Sequence, residues 1–393
     1  MNIIVFEDDF YHHLYPFTLT HATFEIRCGI FTHLERLQTL LSENDTLTLV
    51  VRPELKNITK ERFPKYLVNP DIVESGFWLN GAVLWTKEML ANVMEKRSFS
   101  NNNRLVAFHS ENDIPFNDVT ITKEKSKLVT SQINVILFEY LWDAIFQTGS
   151  QIIEDVNNSY FGKQGIPHPS VILVNEEEIY LAEGCGIAAG VVLDATEGPI
   201  IIDENAFIDI GALIKGPVYI GKNSIVNPGC KLRRNITIGP YCKIGGEIED
   251  TIFQGYSNKQ HDGFLGHSYI GEWVNLGANT NNSDLKNNYS NIRFELNREI
   301  IETDHQFLGV MIGDYTKTGI STSFNTGTYC GVGANIFGSG FQNKTIPSFS
   351  WGSDGQKMDL EKFLDTCKIV KSRRDCQFSA EEKDFFIKIY HKS

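Results

Sequence analysis

A chain of 393 residues, 41% hydrophobic and 22% charged, is too long for one ordinary core and too apolar to be disordered, so two or three folded units are expected. Asp and Glu number 49 against 36 Lys and Arg, and the resulting formal charge of -13 argues against nucleic acid as a partner, because a phosphate backbone would be repelled. A local cluster of Lys and Arg can still hold a small anion.

In chain order, the start runs from Met1 to Phe6 into Glu7, Asp8 and Asp9, with no basic segment ahead of a long apolar one. No window approaches the roughly 20 apolar residues of a membrane span, so a soluble, cytoplasmic protein without a membrane partner is expected. Ile3 to Phe6 reads as a buried strand. Gly29 to Leu41 carries Ile30, Leu34, Leu37 and Leu41 at helical spacing, and Thr46 to Val51 reads as a second strand. Strand, helix, strand is the βαβ unit of a doubly wound α/β domain, placed at 1–165. Leu141, Trp142, Ile145, Phe146, Ile152 and Ile153 form a helix leading out of it, with the seam near Pro167 to Ser170.

Beyond the seam the pattern changes. Ile202, Ile208, Ile214, Ile220, Val226, Leu232, Ile238 and Ile244 stand six residues apart, eight in succession. With about a quarter of residues aliphatic, chance gives such a run about once in tens of thousands of trials. Gly or Asp often follows the aliphatic, and a small residue stands four places on (Ala206, Ala212, Ser224, Cys230, Cys242). This is the hexapeptide pattern of an all-β left-handed parallel β-helix, expected over 166–358: three hexads make a triangular coil, and the aliphatics stack inside. The register returns at Ile270 and Leu276, then more loosely at Ile312, Phe324, Cys330 and Ile336. The 26 residues between Ile244 and Ile270 are not a multiple of six, which predicts a loop there carrying His261. Residues 359–393 form a charged helical tail. The seven cysteines are dispersed without a CxxC pair, so neither a disulfide framework nor a metal site is expected.

His261, Leu265-Gly266, Ile270-Gly271 and Asn275-Leu276-Gly277-Ala278, with Thr280, resemble in identity and spacing the acetyltransferase site of bacterial bifunctional N-acetylglucosamine-1-phosphate uridyltransferases. The whole chain is similar to a variant branch of sugar nucleotidyltransferases of this type, familiar from Bacteroidetes. The matching segments are Pro16 to Ile30, Gly245-Gly246-Glu247, Gly255 to Lys259, Leu285 to Tyr289, Phe349 to Gly352 and Arg373-Arg374. The resemblance implies a sugar nucleotidyltransferase-like domain ahead of an acyltransferase β-helix, working toward UDP-N-acetylglucosamine or a related nucleotide sugar. It implies acetyl-CoA as donor, a sugar phosphate as acceptor, a nucleoside triphosphate with Mg2+ where nucleotidyl transfer is active, and a homotrimer whose sites are shared between chains. His261 would be the general base, since an imidazole titrates near neutrality. Asn275 would bind the sugar, Asn288 and Tyr289 would lie near the acetyl donor, Lys259 and Lys286 would contact phosphate or pantetheine, and Glu25 and Arg27 would serve the nucleotide.

Several positions depart from the family pattern. Asn227-Pro228-Gly229 stands where the family has Arg-Pro-Gly, Glu249 where it has a Lys, and Phe264 where it has a Tyr. A Glu would repel the sugar phosphate. The Gly-rich triphosphate loop is absent, and the variant branch's two N-terminal arginine motifs appear as His21-Ala22 and Asn80-Gly81-Ala82-Val83. The alternative is a trimeric scaffold or regulatory protein whose nucleotidyltransferase domain has lost its chemistry.

Overall fold

The computed structural model describes residues 1–95, 98–116, 130–159, 161–352 and 355–393. In the strand Asn2–Phe6, alternate side chains enter two cores, Ile3 and Val5 on one face and Ile4 and Phe6 on the other. Such a strand must be central. It pairs in parallel with Thr46–Val50 and Gly76–Asn80 in a seven-stranded mixed sheet, and the helix His33–Leu40 makes the crossover. That helix starts four residues later than its apolar spacing predicts. The strands Arg27–Cys28 and Phe31–Thr32 form a tight ribbon first, turning at Gly29 with φ +70°, and Thr32 then caps the helix by accepting from the Glu35 N–H. The helix Trp142–Asn158 leads out as expected, and the first solenoid strand is Ile172–Val174.

The solenoid is the expected left-handed parallel β-helix. All eight aliphatics from Ile202 to Ile244 are at most 2% exposed, and each pairs in register with the one a coil away, as in Ile202↔Ile220↔Ile238. No loop leaves the prism between Ile244 and Ile270. The strand Glu247–Gly255 runs straight past a corner, pairing first with Lys231–Leu232 and then with Ile236–Ile238. Inward positions therefore fall at 244, 248, 253, 259, 265 and 270, and the shortened steps 244–248, 248–253 and 265–270 account for the lost phase. The excursion comes later, at 283–309. There the hairpin Arg293–Leu296 with Glu299–Glu302 leaves the coil and packs Ile292, Phe294 and Leu296 against Leu14, Phe17 and Trp142 of the first domain.

The trimmed corners put Lys259 in the column Ile208, Val226, Ile244. Its side chain is enclosed, 1% exposed, and its ammonium donates to the carbonyls of Gly245 (3.1 Å) and His261 (2.9 Å). Lys259 is thus not the surface contact for phosphate or pantetheine that its exposed-looking context suggests.

The helices Leu360–Ser372 and Ala380–Lys392 are a clamp rather than a free tail. Phe385 enters the first domain's core, while Phe363, Leu364, Cys367 and Phe386 pack on Trp273, Tyr315, Val332 and Phe349 of the solenoid. Tyr241, Tyr256, Trp273 and Tyr315 form a ladder up one edge, with successive rings 5.1, 4.4 and 6.1 Å apart, and Trp273 and Tyr315 of that ladder meet the clamp.

The segment from Thr20 to Gly29 binds the first domain to the solenoid. Thr20 Oγ1 donates to Asp314 (2.7 Å), Gln254 donates to the Glu25 carbonyl and accepts from the Arg27 N–H, and Thr237 donates to the Gly29 carbonyl. His21 lies between two carboxylates, Nδ1 on Glu25 (2.9 Å) and Nε2 on Asp314 (2.8 Å), with Arg62 also on Glu25. Only the imidazolium can donate to both. Burial and Arg62 oppose that charge, but Asp314 and Glu25 outweigh them and raise its pKa from 6.5 to about 9.

Two predictions follow the signs of these shifts. His21 is raised on folding, so its ion pairs contribute fully below pH 6.5 and are lost as the pH rises toward 9. In denaturant titrations the stability advantage of the wild type over His21→Gln should fall across that window, and a flat difference would show the imidazole neutral. Lys259 is the opposite case, pushed down from 10.5 to about 8 by burial, so its cost is present below pH 8 and is relieved between 8 and 10.5. The stability of the wild type relative to Lys259→Met should rise by about 3 kcal/mol over that interval.

Candidate functional site

His261 stands at an exposed corner of the prism, two residues past inward-facing Lys259. Its main chain is held from inside by the Lys259 ammonium, and the preceding carbonyl, Gln260, accepts from Asn227 Nδ2 at 2.8 Å. Gly246 beneath it is required: a Cβ there, at φ +83°, would come within 2.6 Å of Lys259 Nζ. The corner is therefore fixed, while the imidazole makes no hydrogen bond to the other described residues. A free imidazole on a rigid main chain can take a proton from a bound ligand.

On the strand leading into that corner, Asn258 faces outward and pairs with Asn275 of the next coil, which pairs with Lys317. Asn258 Nδ2 donates to Asn275 Oδ1 at 3.4 Å. Asn275 is exposed, beside the strand Asn258–Lys259 that leads to His261. Arg374, in the turn between the two clamp helices, reaches this pair and donates to Asn258 Oδ1 at 3.0 Å. Arg373-Arg374 is visible in the sequence as a motif, but nothing in its spacing points to this place.

Lys286, Asn288 and Tyr289 lie on the excursion. Lys286 donates to the Asn291 carbonyl, Asn288 Oδ1 accepts from Ser290, and Tyr289 is 66% exposed. Among the described residues none of the three is recorded in contact with His261, so within one chain they form no site with it. Glu249, the acid in place of an expected cation, is paired with Arg233 (3.0 Å), and Arg233 also meets Glu247. Arg234 meets Glu197 and Glu249, so neither arginine is a free substitute for the missing phosphate contacts. His267, which the sequence reading passed over, is oriented by Asp284 (2.8 Å) but is stacked on Phe307 and faces Phe146 of the first domain.

In the first domain, ligands of such sheets bind beyond the carboxyl ends of the parallel strands. Here that end holds acids. Glu7 is paired with Arg52 (2.5 Å), and Asp8 with Arg104 (3.0 Å) and Asn80 (2.9 Å); Arg52 and Arg104 are further covered by the Tyr11 and Phe10 rings. Glu25 and Arg27, expected to serve a nucleotide, are both buried and paired within the fold. Glu25 binds His21, Arg62 and the Ala22 N–H, and Arg27 binds the carbonyls of Gln254 and Ile30 and pairs with Glu35 (3.4 Å). Buried carboxylates and an arginine at this density need partners; the first domain supplies most of them and the solenoid adds Gln254.

No helix among the described residues is long and apolar enough to cross a membrane, and no group of three or more His, Cys, Asp or Glu side chains among them is placed to hold a metal ion.

Residues 3–162 match the family model described as sugar nucleotidyl transferase, and residues 199–234 match bacterial transferase hexapeptide (six repeats). A bifunctional sugar-1-phosphate nucleotidylyltransferase/acetyltransferase of Sulfurisphaera tokodaii is 32% identical over 152 residues, 38% of each chain. The bifunctional protein GlmU of Methanococcus aeolicus is 34% identical over 145 residues, 35% of each. The chain thus spans well under half the length of these two relatives. YaiX of Escherichia coli K12, named as an uncharacterized acetyltransferase, is 31% identical over 180 residues, 42% of this chain and 78% of YaiX. A segment that matches the sugar nucleotidyl transferase model is thus followed by hexapeptide repeats, and the chain belongs to the same family as YaiX.

Proposed function

We propose that the chain transfers an acetyl group from acetyl-CoA to the amine of a phosphorylated amino sugar, with His261 as general base, in the making of a nucleotide sugar such as UDP-N-acetylglucosamine. The observation that carries this reading is the exposed imidazole of His261 on a corner fixed from within by Lys259, beside the Asn258–Asn275 pair. The amine nitrogen attacks the thioester carbonyl, His261 takes the amine proton, and the tetrahedral intermediate collapses to the amide as the thiolate leaves and is protonated. Asn275 would hold the sugar.

The chain is proposed to act in the cytoplasm as a homotrimer. Ile210 and Ile320 occupy the same place in their coils as His261, two residues past an inward side chain, and are 55% and 78% exposed. An apolar edge flanking the site suits contact with another copy, which would bring Lys286, Asn288 and Tyr289 of one chain to His261 of the next.

Nucleotidyl transfer is the family's other reaction. Its Mg2+ and triphosphate fit poorly with a strand end where Glu7 and Asp8 are already paired with Arg52 and Arg104. That pairing favours a second reading for this half, a docking domain that does no chemistry of its own.

His261→Ala should lower kcat for acetyl transfer by about 100- to 10,000-fold with unchanged thermal unfolding, since no described residue bonds the imidazole. Activity within a few-fold of wild type would remove His261 from the mechanism. Sedimentation should give three times the chain mass, and a monomer at working concentration would exclude a site shared between chains.

A further inference from the structure

We infer that Arg374 is the residue that holds the phosphate of the acyl acceptor, a specificity-determining cation supplied by the C-terminal clamp. This inference rests on the proposed acetyl transfer at His261. Near the corner, Asn227 is neutral and bonded to the Gln260 carbonyl, and Glu249 is an acid paired with Arg233. Lys259 is sealed in the prism, and the ammonium of Lys317, one coil above Asn275, is turned to the Tyr315 carbonyl and largely buried. Lys243 shares the outward row one coil below Asn258.

Arg374 differs from the paired and buried groups, and it reaches this row from outside the solenoid. Its recorded contacts are Asn258 Oδ1 at 3.0 Å and, weakly, the Arg373 carbonyl at 3.5 Å, and among the described residues no ion pair to a carboxylate is recorded for it. In a chain of net charge -13, a half-buried guanidinium left without an acid has its charge available to a ligand. The acid next to it, Asp375, follows it in the chain. Asn258 and His261 are three residues apart, so their Cα atoms are separated along the strand by at most about 10 Å. That is the span of a hexosamine with its amine at His261, its ring against Asn275 and its phosphate on Arg374. The clamp is seated on Trp273 and Tyr315 of the aromatic ladder, and this contact holds the turn that bears Arg374 against Asn258.

The test is calorimetric binding of hexosamine 1-phosphates and of the corresponding free hexosamines to the full chain, with acetyl-transfer kinetics on both sets, for wild type, Arg374→Gln and Arg374→Lys. A charge-assisted hydrogen bond of this kind gives the expected size. In Arg374→Gln the preference for the phosphorylated ligand should fall about 10- to 100-fold, appearing in Kd and KM rather than kcat, and Arg374→Lys should restore part of it. An unchanged preference in Arg374→Gln overturns the inference. So does an equal loss for both ligand sets, which would mark Arg374 as a tether of the clamp, or a KM increase for acetyl-CoA alone, which would move it to the donor. Arg374-dependent binding without acetyl transfer would sink the proposed function and leave the phosphate site standing. Acetyl transfer with an unchanged preference would do the reverse, and a wild type that binds no hexosamine phosphate overturns the site.

Discussion

The parallel stacking of one inward side chain on the next governs this molecule. Each inward side chain of a coil lies about 4.8 Å from its counterpart in the next coil, so every inward position is bounded by residues of fixed size and polarity. Ile202 to Ile244 satisfy that condition with aliphatics that bury nearly all their surface. Where the condition is broken, the solenoid carries its unusual chemistry. Lys259 follows Ile244 in one column, and Asn282 stands before Phe324 in another, bonding the Gly266 N–H and carbonyl from inside. Both polar intrusions lie in the coils that carry His261 and Asn275.

A buried ammonium is expensive unless its donors are used, and Lys259 uses two of three on carbonyls of the corners at Gly245 and His261. An aliphatic in that column would leave both carbonyls to other partners. The lysine therefore exchanges solvation for a defined main-chain position at the residue that must meet the substrate. It also dictates Gly246, because no Cβ fits above its ammonium.

Legibility in the sequence followed periodicity. Where the spacing was regular, eight hexads gave the solenoid, and the apolar alternation of Asn2–Phe6 gave the first strand. The phase break after Ile244 was visible, but a count of 26 cannot distinguish an inserted loop from a series of trimmed corners. The difference decides whether Lys259 points in or out. The excursion at 283–309 escaped notice because its length keeps Leu276 and Ile312 a multiple of six apart. Motif resemblance pointed to His261 and Asn275, which lie on neighbouring coils, Asn275 beside Asn258 three residues before His261. It misdirected Glu25 and Arg27, because contacts between distant segments, such as Gln254 on Arg27 and Asp314 on His21, leave no local trace.

The placement of cations ties the two halves to the chemistry. The first domain's arginines are held within the fold: Arg52 and Arg104 neutralise Glu7 and Asp8 at the strand ends, Arg62 meets the latch acid Glu25, and Arg36 grips Asp155 with two bonds. Each such pair is desolvated, and breaking it would leave a buried charge, so none can turn to a ligand without unsettling the fold. On the solenoid, Arg233 and Arg234 are occupied by glutamates. A cation brought in from outside the solenoid then adds to Lys243, which shares the outward row of Asn258. The clamp supplies it: its aromatic face is seated on Trp273 and Tyr315, and its turn delivers Arg374 to the strand that leads to His261. The helical tail, the segment least informative in the sequence, is on this reading the part that adds this charge to the site.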